Sequence, residues 1–385
     1  MNILFLTNAY PDFDDSYRGI FVKKMAILLG KEGYKITVVT PKIYRESRFF
    51  EKKDGINVYR FPFFSGNKLL IEHEKVPYLR MVLYYLSGLI LTGYVILRWK
   101  CNLIHAHWAI PTGLIGVLGG SLLRKPLIVT IHGSDFRIAM GGSALLKKIF
   151  LFVCQKARHV TCVSELMKKE IEALGVEGRK MLTFPMGVGE TFLEKGWKRE
   201  VAQKRGPFTI ISNRNLQTIY NISQLIRAVP IVLREEPETR FLVAGEGPCR
   251  ESLEGEVKSL NVDSSVRFLG RVPHEKMPDI LAGADIYVST SLHDGTSVSL
   301  LEAMATGAFP IVTNIDANGE WISDSQNGFL VPVGDEAFLA GKIIEAIRNK
   351  RLVEQACEKN RKIVAKRACW GANIEKVTDL YRYAL

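Results

Sequence analysis

Cysteine is scarce and scattered in this 385-residue chain: six residues, at positions 101, 154, 162, 249, 357 and 369, with no Cys-x-x-Cys pair and no Cys/His cluster at metal-ligand spacing. That excludes a disulfide-stapled scaffold and a zinc module, and leaves the thiols as small buried apolar groups of a reducing compartment. Short internal repeats and low-complexity segments are lacking as well, so neither a solenoid nor a disordered array is expected. The opening MNILFLTNAYP has no basic start and too short an apolar run for a secretory leader, and is expected to be a first buried strand. Acidic residues are short of basic ones, 40 against 52, for a net charge of +12. No recognition motif or aromatic–basic interleaving accompanies the excess, so nucleic acid is not an expected partner.

The positive charge belongs to one half. Residues 1–200 hold 30 Lys+Arg and 17 Asp+Glu, a net +13; residues 201–385 hold 22 and 23, a net −1. Such asymmetry points the N-terminal half at something anionic, a phospholipid surface or a phosphate-linked acceptor. One apolar run approaches membrane length: MVLYYLSGLILTGYVIL, residues 81–97, seventeen residues without a charge between Arg80 and Arg98. That is the lower edge of a span. Because the strand-like LIHAHW follows at once, the run is expected to be a helix buried against a sheet.

The length exceeds what one core serves, so two domains are the default. Apolar residues at 47% and charged residues at 24% describe an ordinary globular protein. Both halves alternate short apolar strands with helical segments, the pattern of parallel α/β sheets. Strands are expected at 2–7, 35–40, 57–61, 103–107, 127–132, 159–163 and 181–185, then at 208–212, 241–245, 266–270, 286–290, 309–312 and 329–332. The polar run ETFLEKGWKREVAQKRGP ends in Gly-Pro and reads as a connection. The expected division is a domain over 1–190, a linker over 191–207, a second domain over 208–365 and a closing helix over 366–385.

The most informative stretch is SLHDGTSVSLLEAMATGAFPIVTNIDANGE, residues 291–320. A Gly-Thr-Ser turn opens an apolar helix between two carboxylates, Asp294 and Glu302, eight positions apart. Backbone N–H groups and the positive helix end suit a phosphate, and the carboxylates suit sugar or ribose hydroxyls. The segment resembles the Glu-x7-Glu signature of family 4 retaining glycosyltransferases, enzymes of the two-domain GT-B fold, with Asp294 in place of the first Glu. Further resemblances run along the chain. Gly19, after the first strand, is similar to the family's glycine beside the donor diphosphate. HGSD at 132–135 resembles an H-G-x-D segment whose His, here His132, lies beside donor sugar and acceptor. Arg214 resembles the arginine that clamps the donor pyrophosphate. GEGP at 245–248 resembles a G-x-G-P segment, and Arg271 with Val272 occupies the place where the base rests.

The resemblance implies two Rossmann-like parallel-sheet domains facing a cleft, and a metal-independent, retaining sugar transfer from a UDP- or GDP-linked donor. No cofactor and no bound metal are implied beyond this co-substrate. The acceptor is expected to be a glycan or a polyprenyl- or lipid-linked sugar, at the cytoplasmic membrane face, in surface polysaccharide assembly. Arg214, the N–H groups of Thr296, Ser297 and Val298, and the helix end would meet the departing diphosphate. Glu302 would bind the ribose, Asp294 the sugar, and Arg18, His107 and Asp135 the acceptor side. The family's lysine five residues after the arginine is missing: position 219 is Ile and 220 is Tyr. Arg18 is the expected substitute. The alternatives are a nucleotide-sugar epimerase or phosphorylase on the same fold, or a non-catalytic sugar-binding protein.

Overall fold

The computed structural model describes the chain except residues 14, 15, 17, 68–77, 200–205 and 385, and the side chains of residues 78 and 79. The chain divides into two compact units, residues 1–184 together with the segment from Asn373 onward, and Pro185–Ala372.

The first unit holds an eight-stranded sheet. Its strands are β1 (Asn2–Thr7), β2 (Lys35–Lys42), β3 (Phe50–Lys53), β4 (Ile56–Pro62), β5 (Leu103–His107), β6 (Leu127–Ile131), β7 (His159–Cys162) and β8 (Met181–Thr183), in the order β3-β4-β2-β1-β5-β6-β7-β8. Every pairing is parallel except β3 with β4. All five residues of β5 and of β6 are buried, as strands covered on both faces require. The helices are α1 (Ile20–Lys31), α2 (Tyr78–Arg98), α3 (Leu114–Leu123), α4 (Ser134–Gly141), α5 (Ala144–Lys156) and α6 (Glu165–Ala173). Right-handed crossovers put α2 to α6 on one face of the sheet and α1 on the other.

Two expectations are corrected here. The strand β3 has no apolar alternation; it exists because Asp54 and Gly55, both at positive φ (52° and 75°), turn the chain back onto β4. The run 81–97 is a helix against the sheet, but it is buried on one face only. Tyr84, Gly88, Thr92 and Val95 face inward, while Val82, Leu86, Ile90, Tyr94 and Leu97 face solvent, Ile90 at 73% exposure.

The second unit holds six parallel strands, β9 (Thr209–Ser212), β10 (Arg240–Ala244), β11 (Val266–Gly270), β12 (Ile286–Ser289), β13 (Phe309–Thr313) and β14 (Phe329–Val331), ordered β11-β10-β9-β12-β13-β14. Around them lie α7 (Glu190–Lys198), α8 (Ile222–Glu235), α9 (Arg250–Ser259), α10 (Met277–Gly283), α11 (Val298–Thr306), α12 (Asp316–Gly319), α13 (Glu336–Arg348) and α14 (Lys350–Arg367), and α15 (Trp370–Ala384) starts in this unit. Of the expected linker, 191–198 is helical and part of this unit: Phe192 and Leu193 of α7 enter its core beside Leu300 and Met304. Residues 200–205 of that linker lie outside the described residues. Trp370, at the start of α15, packs on Gly187, where a Cβ would come within 2.3 Å of the indole. From Asn373 onward α15 belongs to the first unit, where Tyr381 is fully buried beside His105 and Tyr34.

Candidate functional site

In the second sheet the strand order reverses between β9 and β12. The loops after these two neighbouring strands diverge, and a crevice of this kind is where open parallel sheets bind ligands. Arg214 follows β9 by two residues, and Asp294 follows β12 by five.

Arg214 is almost wholly buried and its guanidinium is held on three sides. Nη1 donates to Ser297 Oγ at 2.8 Å and Nη2 to Asp294 Oδ2 at 2.5 Å. The Tyr220 ring lies under its face, 4.2 Å from centroid to guanidinium carbon. Its Nε is buried with no partner among the described residues. Ser297 is the N-cap of α11, its Oγ also accepting from Leu300 N at 3.3 Å. The arginine therefore sits at a helix start, where N–H groups without intrahelical acceptors face outward. Thr296 and Val298 flank the cap. The glycines of GEGP shape the Arg214 loop: a Cβ on Gly245 would meet Arg214 O at 2.3 Å, and one on Gly247 would meet Leu216 O at 2.3 Å.

Glu302, one turn into α11, is 6% exposed, and His274 Nε2 lies 2.8 Å from its Oε1. The segment after β11 that carries Arg271 and Val272 is thereby brought to the second carboxylate of the Asp-x7-Glu pair. Sequence reasoning missed His274 and Tyr220. His274 stands two residues beyond Val272 in an otherwise ordinary loop; Tyr220 stands next to the position of the missing lysine, and that was the available signal.

The first sheet has its own reversal, between β1 and β5. After β1 the chain loops to Gly19, whose φ is 64° and whose Cβ, were there one, would be 2.1 Å from Ala9 O. Only glycine fits this close approach. Arg18 does something other than expected. Its Nη1 donates to Asp12 Oδ2 at 2.6 Å and to Tyr10 O at 3.2 Å, and its Nη2 to Asn8 O at 2.5 Å. These bonds make it a buried brace of the 8–19 loop rather than an acceptor-side cation or a stand-in for lysine. Asp12 opens an Asp-Phe-Asp run in this loop and is engaged by Arg18, Arg60 and Ser47; Asp14 lies outside the described residues.

Three imidazoles line up behind the end of β5. His105 Nδ1 meets Tyr381 Oη at 2.6 Å and its Nε2 meets Thr130 Oγ1 at 2.7 Å; His107 Nδ1 meets His132 Nε2 at 3.1 Å. The rings of His105 and His107 stack, as do those of His107 and His132. Burial pushes the pKa of His105 down to about 3; burial and then His105 push His132 down to about 3. His107 is lowered too, by burial first, so all three are neutral at physiological pH. His107 is fully buried and therefore supports His132 rather than lining an acceptor surface. Asp135 corrects its expectation likewise. It is 1% exposed and accepts from Ala109 N at 2.7 Å, Gly133 N at 3.1 Å and His132 N at 3.2 Å, pinning two loops together. Burial raises its pKa to about 6 against these bonds.

Two family models match the chain along nearly its whole length. A model described as Glycosyltransferase Family 4 matches residues 19–191, and one described as Glycosyl transferases group 1 matches residues 194–363. The N-acetyl-alpha-D-glucosaminyl L-malate synthase of Bacillus anthracis is 24% identical over 276 residues, 69% of this chain and 71% of the relative. The UDP-Gal:alpha-D-GlcNAc-diphosphoundecaprenol alpha-1,3-galactosyltransferase of Escherichia coli is 26% identical over 299 residues, 73% and 75% of the two chains. The structure of Anabaena HepE in complex with UDP shares the fold, with a TM-score of 0.76 at 16% identity over 100% of each chain. These relatives lend the epimerase alternative no support. Two parallel-sheet α/β units of this kind, matched in turn by these two models, make the chain a member of the group 1, family 4-type glycosyltransferases of GT-B fold.

Proposed function

We propose that this glycosyltransferase takes its sugar from a UDP-linked donor and passes it, with retention of anomeric configuration and without a bound metal, to a glycan or lipid-linked acceptor. The observation that carries the reading is Arg214, held by Asp294 and Ser297 at the start of α11 with Glu302 one turn further on. A guanidinium already oriented at a helix start needs no reorganisation as charge develops on a departing diphosphate, and such a donor is typically worth about 3 kcal/mol of barrier. Arg214 and the N–H groups of Thr296, Ser297 and Val298 supply the positive charge, so the reading calls for no cation. Glu302, positioned by His274, is assigned the ribose hydroxyls, Asp294 the sugar hydroxyls, and Arg271 with Val272 the base. Retention rests on the family resemblance. The UDP donor and lipid-linked acceptor are supported by what the relatives are named for, UDP-galactose and a diphosphoundecaprenol-linked sugar in one and bound UDP in another.

The test is transfer from labelled UDP-glucose, UDP-galactose, UDP-N-acetylglucosamine and GDP-mannose to an undecaprenyl-diphosphate-linked sugar, with and without EDTA, the product linkage read by NMR. Transfer from a UDP-sugar, unaffected by EDTA and giving the donor's anomer, is the expected result. Transfer from GDP-mannose alone, an inverted product, or loss of activity in EDTA would each overturn the corresponding part.

A further inference from the structure

The edge of the first sheet opposite Gly19 and His132 carries a second, unassigned site. In a parallel sheet every helix-to-strand connection lies at the strands' N-terminal edge, and here four successive connections each bring a basic pair. Arg98 and Lys100 precede β5, Arg124 and Lys125 precede β6, Lys156 and Arg158 precede β7, and Arg179 and Lys180 precede β8. The last three pairs line one cavity of about 780 Å³, together with His159 and Tyr383. The field there is positive: the pKa of His159 is lowered by burial and then by the charge of Arg158, against a backbone hydrogen bond at Lys180 that raises it. From residue 78 to 158 the chain holds ten Lys+Arg and a single carboxylate, Asp135, which is buried and bonded.

An apolar surface adjoins this rim. The solvent face of α2 is Val82, Leu86, Ile90, Tyr94 and Leu97, with no charge between Arg80 and Arg98, and its polar residues Ser87 and Thr92 are turned inward. A surface helix ordinarily has the opposite polarity. On α3, which packs against α2, Leu118 and Leu122 continue the surface, Leu122 at 76% exposure and two residues from Arg124. The length and composition of α2 would let it cross a bilayer. It is instead fastened to its unit, Tyr84 against Phe61 and Phe63 and Gly88 against Ile115. Only its outer face is available.

We infer that the first unit docks on an anionic phospholipid bilayer. The α2–α3 stripe enters the headgroup–acyl boundary, and the cavity rim of Arg124, Lys125, Lys156 and Arg158 takes lipid phosphates. Apolar area set in a basic frame is the combination that holds a protein at such a surface, and an arginine flank lets the charged ends stay at the phosphates while their stems lie along the stripe. The inference does not depend on sugar transfer, because binding is read with no donor present.

The test is co-sedimentation of the full chain with phosphatidylcholine vesicles, with and without phosphatidylglycerol, for wild type, Leu86→Glu/Ile90→Glu and Arg124→Glu/Arg158→Glu. Ile90→Trp, read by brominated-lipid quenching against the wild-type signal, serves as a variant that keeps the stripe apolar. Wild type should bind the phosphatidylglycerol vesicles and lose binding in high salt. Each double variant should bind at least about tenfold more weakly, and the introduced indole should be quenched. Equal binding to both vesicles, unchanged binding in the double variants, or no added quenching in Ile90→Trp would overturn the inference. It would also fall if pyrophosphate bound at the rim while vesicles did not, leaving a soluble-phosphate site. A dimer in light scattering that Leu86→Glu/Ile90→Glu dissociates, with vesicle binding unaltered, would assign the stripe to self-association.

Discussion

Arg214 Nη2 donates to Asp294 Oδ2 at 2.5 Å, so the first carboxylate of the Asp-x7-Glu pair is the clamp on the arginine that follows β9. Both side chains are largely buried, and a buried pair broken on one side leaves an uncompensated charge. Asp in place of Glu fits this arrangement: the shorter side chain holds the guanidinium against Ser297.

Arg214→Ala should therefore weaken UDP binding by about 1.5–3 kcal/mol, the range for hydrogen bonds to charged groups. Asp294→Asn keeps the shape but frees the arginine, and should cost transfer more than UDP affinity. Calorimetry with UDP, together with initial rates, checks both. An Arg214→Ala protein with wild-type UDP affinity would remove the arginine from the site.

Tyr220 takes up the face of Arg214 near the place where the family's lysine is missing. Its contribution is cation–π and stacking, about 0.5–2 kcal/mol. Tyr220→Phe should bind UDP like wild type and Tyr220→Ala more weakly by that amount. Loss of affinity in the Phe variant would show that the hydroxyl carries the effect.

His274 is the outer partner of Glu302, and its own side chain is 64% exposed. An exposed partner of this kind contributes less than about 1 kcal/mol to stability. His274→Ala should hardly move the melting temperature yet raise the KM for the donor, while His274→Gln restores it by keeping a donor beside Glu302. Equal KM values in wild type and the Ala variant would detach His274 from the site.

The neutral histidines make stability depend on pH in a definite direction. His105 and His132 are pushed down to about 3 and His107 is lowered, whereas in the unfolded chain each titrates near about 6.5. Their contribution is fully present above that value and is lost as pH falls through it towards 3. Asp135, raised from 3.8 to about 6, runs the other way: its contribution is present below 3.8 and lost as pH rises through 6. Near pH 5 the two imidazoles held near 3, His105 and His132, outweigh the one carboxyl by about one proton, a slope of roughly 1.4 kcal/mol per pH unit, and His107 acts in the same direction. Unfolding free energy should fall from pH 6.5 to 4.5, and less steeply by about one proton in His105→Gln. Identical slopes in the two proteins would mean that His105 is charged in the fold.

The strands were legible because buried parallel strands read as mainly apolar runs: NILFLT and LIHAH have the same bounds in sequence and structure. β3 was not, because its existence depends on the Asp54-Gly55 turn rather than on its own residues. Nor can periodicity say what lies outside a helix, so the solvent-facing side of α2 was not legible. In the site, Arg214, Asp294, Ser297 and Glu302 stood out as a local motif plus one arginine, and the structure brings them together. The roles of Tyr220, His274, Arg18 and Asp135 depend on contacts between loops that follow different strands, and charge alone could not separate a brace such as Arg18 from a ligand-facing cation.

The central claim is that the loops after β9 and β12, with the start of α11, form a nucleotide-sugar site. The most direct measurement is the thermal shift of wild type and Glu302→Ala with UDP, GDP, ADP and their common sugars. Stabilisation of wild type by UDP and a UDP-sugar, lost in Glu302→Ala, is the predicted result. No shift with any nucleotide, or a UDP shift that survives in Glu302→Ala, would contradict it.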